Sequence, residues 1–136
     1  MSFELREHTA DVAVEATGET LGDAFAATAD GMAAAMCETV PTTGDRFRCT
    51  VTAESRDALL FDYLDELIYQ RDVRGVLPVD NRATVSQSAG EWQLDGSTRG
   101  VPLASITARE VKAVTYSEMV VEEVPEGWYT YVVVDV

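Results

Sequence analysis

Cysteine and histidine are scarce in this chain of 136 residues. It has two cysteines, Cys37 and Cys49, and one histidine, His8. The two thiols do not form a CxxC motif and are too few for a disulfide framework, so we expect neither a thiolate zinc site nor a disulfide-stapled fold. This use of cysteine is typical of a reducing compartment, and we predict a cytoplasmic protein.

Long hydrophobic runs are also missing. No apolar stretch approaches the roughly 18 residues of a membrane span, and no basic segment followed by an apolar one opens the sequence as in a signal peptide. We therefore expect neither membrane insertion nor export.

Positive charge is the third scarcity. Lysine and arginine together number 10, against 24 aspartates and glutamates, which gives a formal net charge of -14. Because so anionic a protein repels phosphate, we expect no direct nucleic-acid partner and no anionic membrane partner. The acidic residues are spread along the whole sequence, a distribution that favours a halophilic acidic protein adapted to a salty cytosol.

The familiar motifs of nucleotide binding and hydrolysis are absent. The sequence contains no GxxxxGK[ST] loop, no GxGxxG after a strand, no GxSxG, no HExxH and no EF-hand loop. We expect no nucleotide to be bound by the chain alone.

What remains is an ordinary globular composition, with 46% hydrophobic and 25% charged residues. The length is that of one domain, so we predict a single domain over residues 1–136. A helix is predicted from Thr20 to about Met36, and a second helix after Ser55, because apolar residues recur there at spacings of three and four behind a capping residue.

Short alternating segments predict strands elsewhere. They cover residues 3–6, 12–16, 47–53, 76–79, 83–87, 92–94, 106–116, 119–124 and 128–136, with turns expected at 88–90, 95–96 and 126–127. Two helices are too few to cross over every strand, so a parallel sheet is disfavoured. We predict an α+β fold, a two-layer sandwich with two helices packed on one face of a largely antiparallel sheet.

Asp135 is out of place in its local pattern. It ends a segment that is apolar on both faces apart from Thr130, as expected of a central strand. A carboxylate there is costly unless it is solvated, paired or bound to a cation. An exposed Asp at a fraying strand end explains the pattern as well as a ligand does.

Three other positions invite a functional interpretation. His8 and Asp11 stand in a short polar link between the first two strands, where a lone His is more often a hydrogen-bonded turn residue than a ligand or base and Asp11 could be a turn or cap residue. Lys112 is the only lysine, and its compact ammonium suits an approach to carboxylates or phosphate, although a stem packed on the sheet explains it too. Oxygen donors of this kind suit Ca²⁺ or Mg²⁺ better than zinc.

Four segments together resemble the archease family. They are His8-Thr9-Ala10-Asp11, the second-helix segment 60–69, Lys112-Ala113-Val114-Thr115-Tyr116 and the closing Val132-Val133-Val134-Asp135-Val136. They occur in the family's order and span essentially the whole chain.

The resemblance implies an accessory protein and not an enzyme. Archeases activate the tRNA-splicing RNA ligase RtcB by promoting its GTP-dependent guanylylation and multiple turnover. The family's divalent cation maps onto Asp11, Asp135 and a terminal oxygen of Val136, with Ca²⁺ expected first and Mg²⁺ or Mn²⁺ as alternatives. Lys112 matches a functionally important lysine, and His8 falls within the first of the four segments.

Two other functions compete with this interpretation. A metal-dependent phosphoesterase would use Asp11 and Asp135 to hold its ion and His8 as general base. A general protein chaperone or scaffold would dock partners on an acidic ridge of the second helix, formed by Asp62, Asp65 and Glu66.

We predict that the fold depends on salt. At about 1 M salt the Debye length is about 3 Å and the self-repulsion of the acidic surface is screened, whereas millimolar salt leaves it unscreened. Circular dichroism during a KCl titration from molar to millimolar should therefore show loss of structure or a lower melting temperature. An unchanged spectrum and melting temperature at low salt would contradict halophilic adaptation.

Overall fold

Two helices and seven strands make up the fold. The structure is a computed structural model that describes residues 2–7 and 11–136. The elements are β1 (Ser2–Glu7), β2 (Asp11–Gly18), α1 (Leu21–Met36), β3 (Asp45–Ala53), α2 (Arg56–Arg74), β4 (Val76–Ser88), β5 (Glu91–Pro102), β6 (Ala113–Val124) and β7 (Gly127–Asp135). A short 3-10 turn follows β5 at Leu103–Ser105.

The strands form two antiparallel sheets. One has four strands in the order β1-β2-β7-β6, and the other has three in the order β3-β5-β4. The predicted α+β class and antiparallel pairing are confirmed. The division into two sheets is not indicated by the sequence, because strand periodicity does not say which strands are neighbours.

Both helices begin at the predicted caps. The Thr20 hydroxyl accepts a hydrogen bond from the Asp23 N–H, and the Ser55 hydroxyl accepts one from the Ala58 N–H. These bonds satisfy N–H groups that have no partner within the helix. Gly75 ends α2 in the left-handed conformation, at φ 65°, which glycine adopts without steric cost.

Each helix contacts both sheets. Helix α1 packs against β1, β2 and β7 on one side and β4 on the other, whereas α2 packs against β3, β4, β5 and β6. One polar contact joins α1 to the inner strand β7: the buried Thr28 hydroxyl donates to the Ala24 carbonyl and lies 2.7 Å from that of Thr130. The single polar residue in the apolar stretch of β7 is thereby satisfied.

Several strand predictions need correction. Residues 76–79 and 83–87 belong to one strand, β4, whose register shifts between Val79 and Arg82 where Asp80 has a φ of 48°. The expected turn at 95–96 lies inside β5, where a Cβ at Gly96 would make a tight contact of 3.0 Å with the Arg82 carbonyl oxygen. The predicted strands 106–116 and 119–124 are likewise one strand, β6, whose register shifts between Thr115 and Val120, and the stretch 106–112 precedes it and is not part of a strand.

Neither α1 nor α2, the helices of the described chain, has the length and hydrophobicity needed to cross a membrane.

Hydrogen bonds to Asp30 of α1 hold the register shift in β4, and they lead to a prediction about stability. Oδ1 of Asp30 accepts hydrogen bonds from the main-chain N and from Nδ2 of Asn81, both at 2.9 Å, and burial raises the pKa of Asp30. Asp30→Ala leaves these buried donors unpaired and should lower the free energy of unfolding by about 1–3 kcal/mol. Asp30→Asn keeps an acceptor without the buried charge, so it should lose less. Chemical denaturation measures both, and equal losses would contradict the role of the acceptor.

Candidate functional site

The two predicted carboxylates meet at one end of the four-stranded sheet. Asp11 begins β2, Asp135 ends β7, and the register places them directly opposite each other. Direct partners in an antiparallel pair share one face of the sheet, with Cβ atoms about 4.5–5.5 Å apart. Residues from nearly opposite ends of the described chain therefore come within the reach of one small ion.

The segment around Lys112 reaches the same place. Its main-chain N–H donates to the carbonyl oxygen of Asp135 at 2.8 Å, and Ala113 pairs with Asp135 on the side away from Asp11. Lys112 itself is exposed. Val136 is half-buried beside Asp135 and packs against the hydrophobic core. Asp11, Lys112, Asp135 and Val136 are thus brought together.

His8 lies outside the described residues, together with Thr9 and Ala10. Its role stays a prediction. The sequence alone places it three residues before Asp11.

The carboxylate pair has no compensating charge among the described side chains. Asp11 and Asp135 are both half-buried, and no ion pair joins either of them to a side chain in the part of the protein that the structure describes. Like charges directly opposite each other on neighbouring strands are destabilising. A cation between the two carboxylates would remove that repulsion.

The carboxylate oxygens of this pair are the type of ligand that hard cations such as Ca²⁺ and Mg²⁺ prefer. Among the described side chains no group of three His, Cys, Asp or Glu is positioned to hold a metal ion. Two carboxylates would therefore need further oxygen ligands, from the main chain of Val136 and from water, to approach the six to eight that Ca²⁺ commonly takes. No thiolate lies in this set, which disfavours zinc.

The cysteines offer no nucleophile to the site. Cys37 and Cys49 are both free and buried. Burial raises the pKa of the Cys49 thiol to about 11, so it stays protonated and unreactive at neutral pH. The Cys37 thiol donates to the carbonyl oxygen of Thr39 at 3.2 Å.

Two segments that carry the resemblance also touch each other through aromatic rings. The rings of Phe61 on α2 and Tyr116 on β6 stack with centroids 4.6 Å apart and an interplanar angle of 18°. The hydroxyl of Thr115 donates to the carbonyl oxygen of Val133 at 3.1 Å. The sequence gives no signal for this stack, because the two aromatic residues belong to different periodic patterns.

The acidic ridge of α2 is on the surface. Asp62 and Asp65 are exposed, and the half-buried Glu66 accepts a hydrogen bond from the side-chain amide of Gln70 at 2.6 Å. The ridge shares none of its residues with the carboxylate pair.

Comparisons with known proteins agree over nearly the whole chain. The sequence model of the archease protein family matches residues 3–136. Protein archease of Pyrococcus furiosus is 31% identical over 143 residues, which cover 98% of each chain. Protein archease of Thermococcus gammatolerans is 33% identical over 138 residues, which cover 98% of this chain and 97% of that one.

Solved structures show the same fold. Protein 1598 of Methanobacterium thermoautotrophicum superposes with a TM-score of 0.86 at 27% identity and covers 99% of both chains. A Thermotoga maritima protein, described as an archease and possible chaperone, has a TM-score of 0.64 at 20% identity. The match covers 98% of this chain and 96% of that one. This chain belongs to the archease family.

Proposed function

We propose that this protein activates a tRNA-splicing RNA ligase of the RtcB type, promoting GTP-dependent guanylylation of the ligase and its multiple turnover. Two things support the proposal. The first is membership of the archease family, and the second is the position of Asp11 directly opposite Asp135 at one end of the sheet. The second observation carries the mechanism.

The working end is built from three chain segments. Asp11 and Asp135 supply carboxylate oxygens, and Val136 supplies a main-chain oxygen, to a divalent cation for which Ca²⁺ is the first choice and Mg²⁺ or Mn²⁺ are alternatives. When bound, the cation neutralises the carboxylates and links the start of β2 to the end of β7. The exposed Lys112, whose main chain is bonded to Asp135, carries an ammonium group at the same end of the sheet.

An accessory role suits these residues better than catalysis. The described residues of the working end provide carboxylates and one ammonium group. The buried thiols are not among them. We infer that the ordered end docks on the ligase and favours the conformation competent for guanylylation, by binding that conformation more tightly than others. The cytoplasm, where tRNA is processed, is the compartment that this function requires.

A general chaperone function has one observation in its favour besides the description of the Thermotoga maritima protein. Tyr69 and Val73 are 58% and 63% exposed on α2, next to the acidic ridge. Such a chaperone would suppress aggregation of unrelated proteins and would not need Asp11 or Asp135. A phosphoesterase would instead hydrolyse phosphoesters with Mg²⁺, Mn²⁺ or Ca²⁺ and no ligase present.

We predict that a cation reverses the order of stability between the wild-type protein and two variants, Asp11→Asn and Asp135→Asn. With chelator present, each variant should equal the wild type or exceed it by up to about 1 kcal/mol, because the opposed like charges are gone. With Ca²⁺ at a hundred times its dissociation constant, the wild type should gain about 2.7 kcal/mol and the variants much less. Thermal denaturation measures both states. An equal gain in all three proteins would exclude this cation site.

We predict that the same pair is needed for activation of the ligase. Asp11→Ala and Asp135→Ala should keep the wild-type circular dichroism spectrum and abolish stimulation of guanylylation, measured by transfer of label from GTP to the cognate ligase at molar salt. Glu91→Ala, which removes an exposed carboxylate at the start of β5, is the matched control and should stimulate fully.

Full stimulation by both aspartate variants would remove the working end from the mechanism. If the wild-type protein itself fails to stimulate the ligase, the proposed function is wrong. Hydrolysis of phosphoesters without ligase, or broad suppression of aggregation, would then identify which of the two competing functions holds.

A further inference from the structure

Positive charge is unevenly distributed over this acidic protein. Four of its nine arginines, namely Arg46, Arg48, Arg82 and Arg99, project from one side of the three-stranded sheet. We call this surface the arginine face. Arg48 and Arg82 both pair with Ser97 from opposite sides, and Arg46 pairs with Arg99 two residues further along. Directly paired residues share a face, so these side chains lie together.

The other side of the same sheet is the buried side. Cys49, Leu94 and Thr98 alternate with the residues of the arginine face and are at most 7% exposed. The sheet is therefore packed on one side and open to solvent on the other. The arginines stand on the open side.

Two of the four arginines already have partners. Arg46 forms an ion pair with Asp80 and donates to the Ser97 hydroxyl at 2.9 Å. Arg99 donates to the carbonyl oxygens of Pro41 and Thr43. These contacts hold both guanidinium groups in place.

The other two are available to a ligand. Arg48 is exposed and makes no hydrogen bond or ion pair with any residue that the structure describes. The side chain of Arg82 is 71% exposed, and the one ion pair that it forms with a described residue is a long contact of 3.8 Å to Asp80. Both are strong donors without a close acceptor in the described part of the chain.

A groove of about 330 Å³ separates them, lined by these two arginines together with Thr84, Asp95 and Ser97. Because neighbouring strands lie about 4.8 Å apart, the main chains of Arg48 and Arg82 are about 10 Å apart across β5. Arginine side chains are long enough for two of them, on strands at that separation, to reach one tetrahedral anion above the Ser97 hydroxyl. The Asp95 carboxylate at the border accepts a hydrogen bond from the Gln93 amide at 3.0 Å and a longer one, 3.4 Å, from the Thr50 hydroxyl.

We propose that the arginine face binds the phosphate groups of a nucleic-acid strand, with one phosphate held between Arg48 and Arg82 over Ser97. Arginine and hydroxyl side chains are the usual partners of phosphate oxygens, and such contacts read no base sequence. An acidic protein segment is a poorer match, because protein interfaces depend on apolar anchors. All the exposed large hydrophobic side chains of the described chain lie on β1, α2 and β6, away from this face.

The net negative charge limits the distance over which the arginine face can attract a nucleic acid. The expectation of no direct nucleic-acid partner rests on a charge of -14, which averages over the whole surface. At the molar salt expected of its cytosol the Debye length is about 3 Å, so a phosphate in contact with the arginine face interacts mainly with the local arginines. The contact is weak and short-ranged. It holds a nucleic-acid strand that is already next to the protein. It does not rest on the proposed activation of a ligase.

The test is an NMR titration of the full ¹⁵N-labelled chain with octauridylate, at the lowest KCl concentration that leaves the circular dichroism spectrum unchanged. Amide shifts are expected at Arg48, Arg82 and Ser97 and not on α2. The double variant Arg48→Gln/Arg82→Gln should weaken binding at least fivefold. It should also reduce the slope of log affinity against log salt by about 0.7 for each lost phosphate contact.

Arg74→Gln is the control, because Arg74 lies over the ring of Phe47, which projects from the buried side of β3. It removes a positive charge without touching the arginine face and should bind almost as the wild type does. The proposal is overturned if the wild type shows no shifts, if the double variant binds as well as the control, or if an octaglutamate peptide binds as tightly as the RNA.

Discussion

The antiparallel pairing of β2 with β7 is the interaction on which the rest of the four-stranded sheet depends. These are its two inner strands, and paired residues such as Ala16 and Thr130 are 114 positions apart in the sequence. Helix α1 packs across both strands and is bonded to β7 through Thr28. The outer strands β1 and β6 each have only one of them as a neighbour. Removing this pairing would leave two unconnected hairpins.

The same pairing creates the electrostatic problem at the end of the sheet. An acidic protein can spread most of its carboxylates over solvent, but Asp11 and Asp135 are fixed opposite each other by the register. Ladder hydrogen bonds hold their main chains, so the side chains cannot move far apart without fraying both strands. A bound cation and a well-ordered sheet end would therefore stabilise each other. On the three-stranded sheet, register has the opposite consequence, because it collects arginines from three strands on one face.

Local structure could be predicted from the residues themselves, whereas the meeting of Asp11 with Asp135 was expected only from the family resemblance. The caps at Thr20 and Ser55, the apolar stripes behind them and the misplaced Asp135 are all features of a few neighbouring residues. The Asp95-Gly96 pair is typical of a turn, yet both residues lie within β5. Gly96 leaves room for the Arg82 carbonyl oxygen of the neighbouring strand β4, and a local sequence pattern does not show that contact. The arginine face could not be predicted from the sequence for the same reason. Arg48 and Arg82 are distant in the chain, and only the register on either side of Ser97 makes them neighbours.

The central place of β7 also has a consequence for biosynthesis. A ribosome delivers β1 and β2 early, but their sheet gains its inner partner only after every other strand has been made. Until then one edge of β2 is unpaired, and such edges invite aggregation. Contacts between such remote segments are also slow to form. Because Asp11 and Asp135 come together only at this final step, a nascent or truncated chain lacks the working end altogether, and only a fully assembled molecule can present it.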